Sequence, residues 1–285
     1  MDNRTGIRRR GHAFLADQAR ETLGVSGDFH ALAEIPLPLM HTAFGAAVCG
    51  VAVLVRPEAL GLRNSAIADA SLALLTALVL VAYDFLIYPR ASRPGIEGAA
   101  LPAAAVGAFG TVLAGVPPIT VRIAAGAVAA LVIGGVPQLA GRRAVEVEGT
   151  ATRLLRDIAG VAVLAPVLVA GVSPVLTPAW RAALVGGIAA LVSFDALRTE
   201  HLSVLRAVLV SLILGALLAG ATQIVGPAST QLGARAAVLL VFWYGLRGVA
   251  GILATGRRGR TVTMLEYGFF VVVAIGALRW IALQG

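Results

Sequence analysis

An all-α bundle that crosses a membrane about nine times is the fold this sequence predicts, and three observations predict it. Hydrophobic residues make up 58% of the chain and charged residues only 13%, where a soluble domain carries about 25% charged residues. Mean hydropathy is +0.88. Apolar runs of span length, about 20 residues each, recur along all 285 residues and are cut by proline, glycine and arginine.

The first 36 residues stand apart. They are polar and Arg-rich, and Arg8, Arg9 and Arg10 imitate the basic start of a signal peptide. Asp17, Arg20 and Glu21 follow where an apolar stretch would be needed, so a cleaved leader is not expected. Leu15, Ala19 and Leu23, with Phe14 beside them, recur at helical spacing. A short amphipathic helix resting on lipid headgroups is one reading, and a loosely ordered tail is the other.

Residues 37–285 form the integral membrane domain. Nine apolar runs lie at about 37–55, 67–88, 97–115, 120–139, 157–174, 181–197, 203–225, 234–254 and 262–283. Proline lacks a backbone donor and restricts the residue before it. Arg56-Pro57, Pro89-Arg90, Pro117-Pro118, Ser173-Pro174 and Gly226-Pro227 are therefore sensible ends of helices. Gly141-Arg142-Arg143, Thr199-Glu200 and the segment Gly256-Arg257-Arg258-Gly259-Arg260 end the others. The fifth and sixth runs are short, and a re-entrant pair there would reduce the count to seven spans.

Charge gives the orientation. All 23 basic residues are Arg. With the N-terminus inside, 16 of them fall in inner segments and five, Arg56, Arg63, Arg122, Arg181 and Arg235, in outer ones. Such a bias in short loops sets topology, so the N-terminus is expected in the cytoplasm and the C-terminus outside. The net charge of +8 is spread between apolar runs and forms no basic face, so nucleic acid is not an expected partner. The expected partners are the bilayer and its anionic headgroups at the cytoplasmic face. A second copy of the chain or another membrane protein remains open. The Ala, Gly, Val and Arg excess fits a GC-rich genome and hence a bacterial-type inner membrane.

An internal echo suggests duplication. Leu80-Val81-Ala82-Tyr83-Asp84-Phe85-Leu86 and Leu191-Val192-Ser193-Phe194-Asp195-Ala196-Leu197 share one pattern, 111 residues apart. Spans one to four, residues 37–139, would match spans five to eight, residues 157–254, leaving 262–283 unpaired. Units of four spans are parallel repeats about an axis along the membrane normal. Coincidence in low-complexity apolar sequence is the alternative. Gly126, Ala130 and Gly134 form a ridge of small residues for helix packing. So do Ala183 and Gly187, Ser211 and Gly215, and Ala216 and Gly220.

Ionisable residues inside spans are costly and so are candidates for function. Here they are Asp84, Asp195, Arg247, Glu266 and His41, which the orientation gathers in one layer near the cytoplasmic face. Asp84 and Asp195 would bind a cation or a proton in a shared cavity. Pairing with Arg90, Arg198 or Arg247, or contact with headgroups, is the competing structural reading. Tyr83, Tyr88, Phe194, Trp243, Tyr244 and Tyr267 read as an interfacial aromatic belt.

Several chemistries are excluded. Without a lysine there is no Schiff base and no phosphate-loop amine. Of His12, His30, His41 and His201, only His41 lies within a span, so a membrane haem lacks its two ligands. No metal site is expected, nor any cofactor. Cys49, the single cysteine, reads as a small buried residue. The sequence has no H-E-x-x-H, G-x-S-x-G or phosphate-loop motif, which weighs against an enzyme. The expectation is a transporter or permease-like protein for a small solute or ion. A membrane enzyme acting on a lipid or isoprenoid headgroup is the alternative, as is a non-catalytic assembly subunit.

Overall fold

The structure is a computed structural model, and it describes residues 71, 73–82, 99–114, 124, 127, 150–174, 176–200, 202–227, 231–255 and 261–284. Among these residues the protein is all-helical, without strands. Seven helices follow in order: α1 (Ala73–Ala82), α2 (Ala100–Ala114), α3 (Thr150–Val172), α4 (Pro178–Thr199), α5 (Val204–Val225), α6 (Leu232–Thr255) and α7 (Thr261–Gln284). Four of them, α3 to α6, are long and apolar enough to cross a membrane. The run at 37–55 lies outside the described residues, and that at 120–139 almost entirely so. Nine spans is therefore the reading of the sequence, and four is the number the described helices carry.

Each helix ends where its sequence provides a reason. Pro178 stands in the first turn of α4, where a missing N–H costs nothing. Gly226 closes α5 at φ +67 with its N–H donating to the Thr222 carbonyl at 3.2 Å, and Pro227 prevents continuation. The fifth and sixth runs are not short. They belong to helices of 23 and 22 residues, about 33–35 Å at 1.5 Å per residue, against a hydrocarbon core of about 30 Å. The fifth run looked short because α3 begins seven residues before it, with polar turns that hydropathy had assigned to a loop.

α2 packs against α3 and α4, and its residues 99–109 are buried. Leu101, Ala104, Ala105 and Val106 meet Val163, Leu164, Val167 and Leu168 of α3 and Val185, Ile188, Ala189 and Val192 of α4. The closest approach is between α4 and α5. A Cβ on Gly215 would fall on the Gly186 carbonyl oxygen and within 3.0 Å of Ala190 Cβ. Ser211 and Gly215 thus face a neighbour as the small-residue pattern expects. Ala183, Gly187, Ala216 and Gly220 do not; they point outward, and a Cβ on either glycine would meet nothing within 4 Å. The α4 contact is one residue earlier than the pattern suggested, at Gly186. A helix apolar all round gives no phase from which to choose the register.

The outside of the bundle is apolar. Leu205, Leu209, Ile213 and Leu217 form an exposed stripe along α5, and Leu265, Phe269 and Val272 another along α7. Exposed apolar surface of this extent marks contact with lipid or with another apolar surface. Hydroxyls inside the helices are turned back on their own backbone: Thr222 Oγ1 donates to the Leu218 carbonyl at 2.8 Å and Ser211 Oγ to that of Val208 at 2.8 Å. Such bonds satisfy polar groups where no water is at hand. The helical bundle and its apolar exterior are those of a membrane protein.

Two arginines assigned by sequence to outer loops lie within helices and are buried. Arg181 Nη2 donates to the Leu176 carbonyl at 3.2 Å, and Arg235 Nη1 to that of Val225 at 3.1 Å. Both guanidinium groups serve carbonyls left over at chain turns, where a cation also meets the negative end of a helix.

Candidate functional site

The starts of α3 and α7 and the ends of α4 and α6 meet at one end of the bundle, and the two ion pairs of the described helices lie there. On α3, Arg156 and Asp157 are neighbours in sequence. Consecutive helical residues point about 100° apart, at 3.6 residues per turn, so the two reach different helices.

Arg156 reaches α4. Its Nε lies 3.2 Å from Asp195 Oδ2, and its Nη2 bonds Asp195 Oδ1, which makes a two-pronged pair. Both side chains are within 3% of full burial. A guanidinium fork matches a carboxylate edge to edge, and here it neutralises two charges that the bundle interior would otherwise expel. Arg156, which hydropathy left in a loop, is thus the partner of Asp195. Of the candidates named from sequence, Arg247 pairs with Asp157, the Arg198 Nη1 donates to the Leu202 carbonyl, and Arg90 lies outside the described residues.

Asp157 reaches α6. Its Oδ1 lies 2.7 Å from Arg247 Nη2 in a pair that is only partly buried. The Arg247 guanidinium carbon also sits 5.7 Å from the centre of the Trp243 ring, within the range of cation–π attraction. Trp243 is buried, and its indole Nε1 donates to Ser193 Oγ at 2.9 Å. Trp243 is therefore a core residue and not part of an interfacial belt. Indole burial is tolerated because the one polar atom has its bond.

Beside the Asp157–Arg247 pair is a cavity of about 290 Å³. Asp157, Glu200 and Arg247 supply its charges, Tyr244 and Tyr267 its aromatic wall, and Leu197 and Ile252 apolar surface. The tyrosine rings are 5.7 Å apart and tilted by 57°. Gly248 makes room for them: a Cβ there would collide with the Tyr267 ring. Glu200 follows the last turn of α4 and is half-buried. Among the described residues it has no basic group at ion-pair distance. A second space of about 10 Å³ lies between the two ion pairs and shares Asp157, Ala196 and Arg247 with the larger one. It has the size of a single water.

Of the residues selected from sequence, the structure places Arg247 in the cavity wall and Asp195 in the buried pair just behind it. Glu266 is exposed on α7 and does not line the cavity. Asp84 and His41 lie outside the described residues, as do the last four residues of the Asp84 copy of the repeated motif. Trp180 and Trp280 are exposed at the opposite end of the bundle. Sequence reasoning left Arg156 in a loop, passed over Asp157 as the first residue of its apolar run, and did not place Glu200 with Tyr244 and Tyr267 around one cavity. A signal was there: an Arg-Asp pair at the very start of a long apolar run.

No protein-family model, curated protein or solved structure matches the chain. The site is accordingly read from its own geometry.

Proposed function

We propose that this multi-pass membrane protein is permease-like and receives a small charged solute in the cavity between α3, α4, α6 and α7. One observation carries the reading. A cavity of about 290 Å³ has three ionisable groups and two tyrosines together in its wall, within a bundle whose core is mostly apolar. Small-molecule sites combine an apolar lining with a few convergent polar groups, and their volumes begin near about 300 Å³. Polar side chains within a membrane bundle are expensive, so their collection around one space argues for use.

The arginine bias along the sequence supports a cytoplasmic position for this end, and the Ala, Gly, Val and Arg excess supports a bacterial-type inner membrane. Asp195 takes a supporting part here. Its charge is spent on Arg156, so Glu200, Asp157 and Arg247 are the groups offered to a solute.

The test is uptake by the purified protein in proteoliposomes. Glu200→Gln and Arg247→Gln are each expected to lower uptake at least tenfold while the protein stays monodisperse and folded. Wild-type uptake by both variants would contradict the reading.

A further inference from the structure

Resting on the reading of this cavity as a solute site, we infer that the group it accepts is an ammonium: that of a small organic cation, or the ammonium end of a zwitterion. The charge balance of the wall is the first ground. Asp157 and Glu200 bring two negative charges and Arg247 one positive. The positive charge is already engaged, by Asp157 at 2.7 Å and by the face of Trp243. Among the described residues Glu200 is left as the uncompensated charge on the cavity, and a cation is what it can pair with.

The aromatic wall is the second, independent ground. Tyr244 and Tyr267 line the same space. The faces of aromatic rings carry negative charge density, and cages of such rings with a carboxylate are how proteins hold ammonium groups whose own donors are few or absent. The Tyr267 ring lies where a side chain on residue 248 would have to be, so glycine at that position is what lets the ring form this wall.

Other ligand classes fit less well. A divalent metal ion needs six or more oxygen ligands for calcium, or near-ideal octahedral geometry for magnesium. Here, among the described residues, one carboxylate is tied to an arginine and only Glu200 is left. An anion would meet the net negative charge of the described lining. A neutral solute would leave Glu200 without a counter-charge in a partly desolvated space. The chain has no lysine, so no side-chain ammonium of its own competes for the position.

The experiment is calorimetric titration of the full-length protein in nanodiscs with four probes: tetramethylammonium chloride, glycine betaine, sodium acetate and tert-butanol. At least one of the first two is expected to bind at least tenfold more tightly than acetate and tert-butanol. Glu200→Gln is expected to weaken that binding at least tenfold. Tyr267→Leu weakens it several-fold, Tyr267→Phe retains it, and Glu266→Gln, which changes an exposed carboxylate on the same helix, leaves it unaltered. Preference for tetramethylammonium marks a simple cation as the ligand, and preference for betaine a zwitterion with its carboxylate toward Arg247. Acetate or tert-butanol binding as tightly as the cation would overturn the ammonium inference and leave the solute-site reading standing. Unaltered cation binding by a folded Glu200→Gln protein would overturn it as well. Binding of none of the four would remove both. The ranking of the probes on the wild-type protein decides the matter even where a variant fails to fold.

Discussion

Arg156 and Asp195 are more than nine-tenths buried, and each neutralises the other. Loss of one member strands a charge in the bundle, which costs about 3–5 kcal/mol, whereas replacing both by apolar residues of similar volume is often neutral or stabilising. Arg156→Met is therefore expected to unfold at much lower denaturant, and Arg156→Met with Asp195→Leu to recover most of the loss. Equilibrium unfolding in mixed micelles measures both. A double variant as unstable as the single one would show that the pair does more than balance charge. A milder effect is expected at Trp243→Phe, which removes the bond to Ser193 and leaves a buried hydroxyl without its indole donor, at about 1 kcal/mol. Asp195 was legible as a costly residue inside an apolar run. Its partner was not, because pairing removes the polarity of Arg156 from the energetics of the folded chain but not from a hydropathy profile of the sequence.

At the scale of the helices, the decisive contact is α4 against α5. Gly186 and Gly215 let the two backbones touch, and dispersion between close-packed atoms takes over the role that the hydrophobic effect has in water. Gly215→Ala places a methyl group against the Gly186 carbonyl and is expected to destabilise by about 1–3 kcal/mol, the ordinary cost of overpacking. Gly187→Ala meets open space and is expected to change stability by less than about 0.5 kcal/mol. Parallel unfolding of the two variants checks this, and the opposite order would place the contact on the register read from sequence. Helix existence and most helix ends were legible, since proline, glycine and charge punctuate the chain. Which face of each helix is inward was not. Alanine, valine, leucine and glycine occur all round these helices, so lipid-facing and core-facing stripes share one composition. The polar first turns of α3 were misplaced for a related reason: an apolar run marks where a helix enters hydrocarbon, not where it begins.

For the molecule as a whole, the central point is a division among its buried and half-buried charges. One pair, Arg156–Asp195, fastens α3 to α4, and the next, Asp157–Arg247, borders a cavity that also takes in Glu200 and two tyrosines. That Asp195 and Arg247 would stand near one another was legible from their positions in their apolar runs. The cavity was not, because it needs α3, α4, α6 and α7 to meet, and no pattern along the chain encodes that meeting. The most direct test is the rate at which a membrane-impermeant thiol reagent modifies a cysteine at Ile252, in a chain whose single native cysteine is removed by Cys49→Ser. The expected result is rapid modification from the arginine-rich side only, slowed several-fold by a saturating ammonium solute. No modification from either side, or modification that no solute slows, would mean that the space is closed packing and not a site.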